Sequence, residues 1–507
     1  MLHSVRNIGV TAGLVSSLVL PAAFSPAAFA DAAAVQAEIL ERLQRLESNQ
    51  LELEQQLKDR DARIRELEEQ LRGEPATATT VREQQAPDTG AQPAPATQRA
   101  AAPEAEKKPS RLNTHTPGKG TTIAETDSGD INFRFYAYTR YLNSNALDKE
   151  YTDSFGQTSK VDRRQDFQVN KMNFYFSGWA MDPKFHYLGY VWTTNASQGR
   201  DAQVVVAGNM QYDFTNWLTG GVGIDSLPGT RTTEGNFPFW LSVDNRLISD
   251  EFFRPSYTTG IWVKGGLNDK LNYKLMLGNN LSQLGVDAGQ LENDLATWSA
   301  NLTWMPFGDY GKGFGDFEMH QQPVTRFGLN YTYSEEDRQS QPDTEDVENV
   351  QLRLSDGNII FDPGLFGDGI IITDATYQMA AFDAGLKYKG SSIWGEYFVR
   401  WLDDFKGPGS SGLSFNDFKD HGFQLQTSTM LSPQAVQLYL SGSKIFGEYG
   451  NPWDARLGIN VYPWRNKVVR WNSELIYLDD SPVGALSLPY TVGGSGPVFN
   501  TNLEVNY

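Results

Sequence analysis

The chain has 507 residues, and its 62 acidic side chains outnumber 43 basic ones to give a formal net charge of −19. It contains no cysteine, which excludes disulfide frameworks, thiol catalysis and cysteine-based metal sites. Only 39% of the residues are hydrophobic, yet there are 28 Phe, 22 Tyr and 12 Trp. This combination is typical of a membrane barrel, in which only the outer face has to be apolar.

Residues 1–30 have the pattern of a secretory signal peptide. Arg6 gives a basic start, an apolar run follows from Ile8 to Leu20, and Ala28 and Ala30 are the small residues of a cleavage site. The apolar run is too short to span a bilayer, and no later stretch reaches the roughly 18 to 20 consecutive apolar residues that a spanning helix requires. We therefore expect export, cleavage before Asp31, and membrane crossing by strands.

Residues 31–72 keep a heptad pattern that predicts an α-helical coiled coil in the periplasm. Polar Gln50 and Arg60 interrupt the seam and are expected to fix its register. Self-association of this helix predicts a homo-oligomer, but the pattern leaves the number of chains open. The apolar a and d positions are Ile39, Leu43, Leu46, Leu53, Leu57, Ile64, Leu67 and Leu71.

Residues 73–127 are rich in Ala, Pro, Thr and Gln, which predicts an extended, disordered linker without a core. The simplest interpretation is a plain tether. An alternative is contact with peptidoglycan in the cell wall through Lys107, Lys108, Arg111 and Lys119.

Residues 128–507 consist of short alternating segments separated by Gly, Asn, Asp and Pro. In residues 171–180, for example, Met172, Phe174, Phe176 and Ala180 share one face. Many such units with few helical patterns indicate an all-β transmembrane antiparallel β-barrel. At roughly 20 to 25 residues for each strand and its connection, the segment is long enough for about 14 to 18 strands, and we predict 16.

The last nine residues predict a strand with two different faces. Phe499, Thr501, Leu503, Val505 and Tyr507 share one side, while Asn500, Asn502, Glu504 and Asn506 occupy the other. A soluble β-sandwich would accept this strand equally well, but the preceding segments favour a barrel that faces outer-membrane lipid. The pattern also resembles the C-terminal signal strand read by the barrel-assembly machinery, which assigns that role to Phe499, Leu503, Val505 and Tyr507.

The barrel region resembles the phosphate-selective porin O and P family of outer-membrane channels. The similarity lies in Arg163-Arg164 before the segment 169–178, in Phe253-Arg254-Pro255 before 260–265, and in later stretches at 271–275, 394–397, 421–426, 457–462 and 481–484. The resemblance implies a 16-stranded trimeric porin that passes small anions through a basic constriction. Asp225 stands where the family usually has a basic residue before the proline, which weakens the implied selectivity for phosphate.

Charge gives two opposite indications about the solute. After residue 120 there are 46 acidic and 29 basic side chains, which favours cations or neutral solutes on average. Much of the acid lies in loops such as 334–348, whereas basic residues alternate out of the aromatic stripes and are expected to face the lumen. A basic residue facing lipid at mid-bilayer would cost about 2 to 4 kcal/mol, so each is assigned to the lumen.

The predicted anion path consists of Arg134, Arg140, Arg163, Arg164, Lys171, Arg326, Lys387, Lys389, Arg400 and Arg456, with acidic Asp383 and Glu396 on the same side. Rings of Arg or Lys suit anion pores, because their donors replace lost hydration. For any one of these residues, the alternative role is an ion pair on the inner wall, as for Glu396 with Arg400. Arg163 and Arg164 have the best motif support, and their alternative position is a rim of the pore.

Other chemistry is not indicated by the sequence. The five histidines have no metal-binding spacing, and Gly311-Lys312-Gly313-Phe314-Gly315 lacks the ending and the helix of a phosphate-binding loop. We expect no enzyme activity, no cofactor, no metal and no nucleic-acid partner. The predicted function is passive diffusion of small hydrophilic solutes, with anions such as phosphate as the first choice. A cation-preferring or general porin, or a tether between outer membrane and cell wall with an incidental pore, remains an alternative.

Overall fold

The computed structural model describes residues 111–116, 119–194, 203–234, 237–281, 295–338, 351–484 and 488–507. Within these ranges the chain is built almost entirely from strands. They are β1 (His115–Thr116), β2 (Gly120–Thr126), β3 (Gly129–Asn143), β4 (Glu150–Thr152), β5 (Thr158–Lys160), β6 (Gln165–Ala180), β7 (Asp182–Thr194), β8 (Gln203–Thr215), β9 (Leu218–Ser226), β10 (Tyr257–Asn268), β11 (Leu271–Gly278), β12 (Thr297–Trp304), β13 (Val324–Asp337), β14 (Asp374–Tyr388), β15 (Ser391–Lys406), β16 (Asp417–Ser432), β17 (Val436–Phe446), β18 (Trp453–Val461), β19 (Val469–Asp479) and β20 (Gly496–Asn506).

Sixteen of these strands, β3 and β6 to β20, form a closed ring. Each is antiparallel to the next, and β20 pairs back onto β3, with Asn506 opposite Tyr136 and Phe499 opposite Asn143. Closure leaves no free edge along the seam, and the predicted number of 16 strands is confirmed. The one described α-helix, α1 (Ile248–Phe253), lies between β9 and β10. No helix in the described ranges is long and apolar enough to cross a membrane.

The connections differ between the two ends of the ring. At one end, called the turn end, most strands are joined by short turns, such as residues 216–217 and 269–270. At the other end, called the loop end, the connections are longer and include residues 144–164, which carry the small β4–β5 ribbon. Residues 305–323 are an exception, because this long connection starts from the turn end.

The outer face of the ring is apolar and carries aromatic side chains near both ends. In β20, Phe499 and Leu503 are 42% and 52% exposed, while the alternate residues Asn500 and Asn502 are buried inside. Near the turn end the exposed aromatics include Trp217, Trp304, Phe307, Trp464 and Tyr507, and near the loop end they include Phe167, Trp298, Tyr477 and Phe499.

The interior of the loop half is an apolar core rather than a wet lumen. Inward residues of the strands, such as Leu142, Phe398 and Ile476, are buried against Phe253 of α1 and against Phe361 of the connection 351–373. This differs from the simple expectation of a polar inner face, because the inserted connections bring their own apolar side chains into the barrel.

Residues 111–116 and 119–126 correct part of the predicted linker, which ran to residue 127. Strand β1 pairs with β2, and β2 pairs with the first part of β3, so this stretch is part of the sheet. Strand β2 pairs with residues 129–133 of β3, which β20 leaves unpaired because it pairs only with residues 136–143. The predicted signal peptide, coiled coil and remaining linker lie outside the described residues.

Candidate functional site

The connection between β9 and β10, residues 227–256, folds into the barrel and is called the inner segment. Glu474 on β19 accepts hydrogen bonds from Ser242 Oγ at 2.8 Å and Asn245 Nδ2 at 3.2 Å. On another part of the wall, Glu396 of β15 accepts the backbone N–H of Arg231 at 3.0 Å. The inner segment is thus fixed to separate sides of the ring.

The helix at the end of the inner segment is anchored by aromatic packing. Phe253 stacks on Phe398 of β15 with ring centroids 5.2 Å apart. Tyr377 donates its hydroxyl to the carbonyl of Phe253, and the backbone N–H of Ser249 donates to Ser443 at 3.2 Å. Both ends of the inner segment are therefore held against the β14–β17 wall.

A second insertion, residues 305–323, enters from the turn end and meets the inner segment. Phe314 packs edge-on against Trp394 with centroids 4.6 Å apart, and Arg231 donates to the carbonyl oxygen of Gly313 at 3.4 Å. Gly313 has a φ of 82°, and a Cβ there would lie 2.6 Å from the carbonyl oxygen of Phe239. A side chain at position 313 would therefore separate the two insertions.

The inner segment leaves a chamber of about 540 Å³ along the β6–β10 side of the barrel. Gln351, Arg353 and Leu488 line it from loop-end connections, and Lys312 lines it from the turn-end insertion. The remaining wall consists mainly of inward residues of β3 and of β6 to β10 on one side and of the inner segment on the other. Residues from both ends of the ring therefore contribute to the lining of the chamber.

Six basic side chains and three carboxylates line the chamber, which is therefore net basic in an acidic chain. Lys171 Nζ lies 2.6 Å from Asp244, and Lys274, whose side chain is partly buried nearby, lies 2.8 Å from Asp225. The basic lining residues are Arg134, Lys171, Arg246, Arg254, Lys312 and Arg353, and the acidic ones are Asp225, Asp244 and Glu251.

Charges at the loop-end side of the chamber stay ionised through mutual pairing. Burial disfavours the charge on Arg254, but Glu251 at 2.6 Å outweighs it and raises the pKa of the guanidinium. Burial likewise opposes ionisation of Glu251, yet Arg254 and Arg246 hold the pKa of this carboxyl below its usual value. Burial lowers the pKa of Arg353, against the attraction of Asp362. The Glu251–Arg254 pair is consequently a fixed charge pair near neutral pH.

Of the residues predicted for the anion path, the structure places two on the chamber wall. Arg134 lies 4.1 Å above the ring of Tyr175, and Lys171 is between Trp192 and Phe237, 4.8 and 5.4 Å from their ring centroids. Both belong to strands β3 and β6, whose inner faces border the cavity.

Seven others face inward but lie in a buried network of the wall and do not line the described chamber. Three of them form ion pairs: Arg326 with Glu234 and Asp383, Arg400 with Asp420, and Arg456 with Asp454. Two other basic residues donate hydrogen bonds, Arg140 to Asn502 and to the carbonyl of Val243, and Lys387 to the carbonyl of Tyr310. The two carboxylates also accept hydrogen bonds, Asp383 from Trp394 and Glu396 from Gln424. The ion pairs of Arg326, Arg400 and Arg456 fit the alternative role on the inner wall, and a part in the solute path stays a prediction. The expected Glu396–Arg400 pair is replaced by the Arg400–Asp420 pair.

The remaining three predicted residues lie away from the chamber. Arg163 and Arg164 precede β6 at the loop end, where Arg163 donates to the carbonyl of Asn145 and Arg164 to that of Leu488. Lys389 is exposed in the turn between β14 and β15, with its ammonium 5.0 Å from the ring centroid of Tyr388. None of the three lines the described chamber, and the loop-end position of Arg163 and Arg164 fits their alternative placing at a rim of the pore.

Sequence reasoning missed the basic residues that the inner segment and the connections contribute. Arg246, Arg254, Lys312 and Arg353 lie in segments without strand periodicity, so no alternation assigns them a face. The Phe253-Arg254-Pro255 motif was the available signal for Arg254. Its role in the chamber follows only from the fold of the inner segment into the barrel.

The residues assigned to barrel assembly lie on the outer side of β20 or just after it. Phe499, Leu503 and Tyr507 are exposed, and Val505 is half-buried. Tyr507 exchanges backbone hydrogen bonds of 2.7 and 2.8 Å with Phe135, and its ring stacks on His115 with centroids 4.5 Å apart. The described residues contain no group of three or more His, Asp or Glu that could hold a metal ion.

The sequence matches no protein-family model and no curated protein sequence. The structure is similar to that of the outer-membrane protein OmpT of Vibrio cholerae, with a TM-score of 0.47 at 10% identity over 76% of this chain and 100% of that one. It is also similar to the outer-membrane channel DcaP of Acinetobacter baumannii, with a TM-score of 0.46 at 8% identity over 76% and 99% of the two chains. OccAB1 of Acinetobacter baumannii is similar with a TM-score of 0.38 at 10% identity over 77% and 99%.

Proposed function

We propose that this chain is an outer-membrane porin through which small hydrophilic solutes diffuse passively, with anions preferred. The observation that carries the proposal is the net-basic chamber inside a closed ring of 16 antiparallel strands. The apolar outer face, with aromatic residues near both ends, fits a barrel in a bilayer, where such residues lie at the two interfaces. Short turns then face the periplasm and long loops face the outside.

Anion preference follows from the balance of charge along the chamber wall. Basic groups in a chamber with low-dielectric walls raise the local concentration of anions, whereas the acidic loops are screened beyond about 8 Å at physiological salt. Phosphate, the solute implied by the resemblance, is one candidate among such anions. A cation preference would mean that the loops and the three lining carboxylates dominate.

Planar-bilayer recording of the purified protein tests both parts of this proposal. We expect discrete, long-lived conductance steps and a reversal potential in asymmetric KCl that indicates a preference for chloride. Absence of steps would overturn the porin assignment, while a potassium preference would overturn the anion preference alone.

Neutralising two chamber cations should move the reversal potential towards potassium. In the variant Arg134→Gln with Lys171→Gln, the lining loses two positive charges and Asp244 loses its ammonium partner. The matched control is Lys389→Gln with Arg465→Gln, which removes the same charge from exposed turn positions and should leave selectivity unchanged. An equal shift in both variants would show that overall charge, rather than the chamber, sets selectivity.

The proposal includes a homotrimer held together by the coiled coil predicted for residues 31–72, which lie outside the described residues. Sustained heptads support self-association, and the number three comes from the resemblance. Deleting residues 32–72 while keeping the signal peptide should reduce the mass of the detergent-solubilised protein to that of a monomer in light scattering. An unchanged mass would place the contacts between subunits on the barrels.

A further inference from the structure

The chamber wall carries three aromatic side chains with polar tips. Tyr190 and Trp192 on β7 and Tyr257 on β10 line the cavity as partly exposed rings. Among the described residues, none bonds to the hydroxyls of Tyr190 and Tyr257 or to the indole N–H of Trp192. These three side chains, called the aromatic strip, offer flat apolar faces together with hydrogen-bonding groups.

The aromatic strip adjoins cations on one side. Lys171 Nζ lies 4.8 Å from the Trp192 ring centroid, and the Arg134 guanidinium lies 4.1 Å from the centroid of Tyr175, which in turn contacts Tyr190 at 5.8 Å. A solute resting on the strip would therefore have positive charge within reach of its edge.

Acceptor groups also face the same space. Asp225, Asp244 and Glu251 line the chamber while paired with Lys274, Lys171 and Arg254. A paired carboxylate keeps further lone pairs for a hydroxyl donor, because its two oxygens offer about four acceptor sites. The wall therefore combines ring faces, cations and hydroxyl acceptors.

We infer that the chamber is a saturable binding site for saccharides that carry an anionic group, of the uronate type. The C–H face of a pyranose ring is weakly apolar and packs on aromatic rings, its hydroxyls donate to the carboxylates, and its carboxylate accepts from the excess of basic groups. The volume of about 540 Å³ lies in the range typical of sites for small organic ligands. This inference names the solute of the proposed channel and rests on that proposed function.

Other solutes match only part of this wall. Inorganic phosphate makes no use of the aromatic strip, and a neutral sugar leaves the excess of cations without a partner. A simple aromatic carboxylate has a ring and a charge, but it has no donors for the three carboxylates and is repelled by them. Of these four kinds of solute, the acidic saccharide alone uses all three kinds of group.

The test uses the full-length protein in planar bilayers with sodium glucuronate as the probe. We expect a concentration-dependent, saturating block of the ion current, with an apparent affinity at least tenfold higher than for glucose, phosphate or benzoate. Equal block by glucose would mean that stacking on the aromatic rings alone accounts for binding. Equal block by phosphate or benzoate would mean that attraction to the basic groups alone accounts for it. Either result would overturn the inference.

Substitution of the aromatic strip tests where glucuronate binds. The variant Tyr190→Leu with Trp192→Leu should lower the apparent affinity for glucuronate about tenfold, with the block measured relative to the unblocked current of the same variant. The matched control is Phe167→Leu on the outer face, where the side chain is 83% exposed, and it should leave the affinity unchanged. An unchanged affinity in the double variant would contradict binding at the strip.

Calorimetry in detergent micelles distinguishes failure of the inference from failure of the channel. If the protein conducts but glucuronate gives neither block nor heat of binding, the saccharide assignment fails and the porin assignment stands. If no conductance is seen, the porin assignment fails, and the calorimetric titration still decides whether glucuronate binds in the chamber.

Discussion

Excision of the inner segment is expected to raise the single-channel conductance several-fold. Residues 227–234 and 237–256 contact the inner side of the wall, and a ring of 16 strands without such a plug encloses an aqueous channel. Ser226 and Tyr257 are direct cross-strand partners, so an Asn-Gly turn can replace the whole segment without a change of register. Planar-bilayer recording of this variant, compared with the intact chain, gives the conductance directly.

The matched control for this excision is a shortened loop-end connection that does not line the chamber. Replacing residues 150–160, which contain the β4–β5 ribbon, by Asn-Gly joins positions that already bond, since Val161 N–H donates to the Lys149 carbonyl at 3.0 Å. Its conductance should stay close to that of the intact chain. A conductance unchanged by removal of the inner segment would mean that the narrowest part of the path lies elsewhere.

Arg470→Met is expected to lower the free energy of unfolding by about 3 to 5 kcal/mol, because it leaves a buried carboxylate without its cation. Arg470 is 4% exposed and donates to both oxygens of Glu504, at 2.6 and 2.9 Å. It also donates to the carbonyl of Trp240 at 2.6 Å, which ties the inner segment to the seam strands. Urea-induced unfolding followed by tryptophan fluorescence measures the loss.

The double variant Arg470→Met with Glu504→Met tests whether the unpaired charge is the cause. Without either charge, the cost should be clearly smaller than for Arg470→Met alone. If the double variant is destabilised as much as the single one, loss of packing and of the contact to Trp240 explains the effect instead.

Alternation was a reliable guide wherever the two faces of a strand meet different surroundings. In β20, apolar residues from Phe499 to Leu503 face outward and Asn500, Asn502 and Glu504 are buried inside, in agreement with the sequence pattern. The length of the region that contains such strands, divided by the length of one strand with its connection, led to the correct number of 16 strands.

The same reasoning fails in the loop half, where both faces of a strand are apolar. Phe398 points into the barrel and Tyr397 points out of it, so alternation between apolar and polar residues is lost. The core that covers Phe398 comes from α1, whose own sequence of six residues has no period long enough to predict its place.

The composition of the chamber was less accessible to sequence reasoning for a related reason. An inward basic residue such as Arg326 cannot be distinguished from Arg134 by periodicity, because both alternate with outward apolar residues. What separates them is Glu234 of the inner segment, which covers Arg326 at 2.5 Å. That contact joins residues far apart in the chain and depends on the path of an irregular segment.

The seam between the first and last strands has a consequence for how the ring reaches its final register. Strand β2 pairs with residues 129–133 of β3, and β20 pairs with Tyr136 to Asn143 on the same side, so the two lie end to end. Closure must wait for a contact such as Tyr136 with Glu504, which are 368 residues apart in the chain and therefore meet late in folding. Because β2 pairs with β3 up to Phe133, β20 cannot slide further along β3 without displacing β2. A slip by one residue, which would turn Glu504 to the apolar outer face, is thereby opposed in that direction.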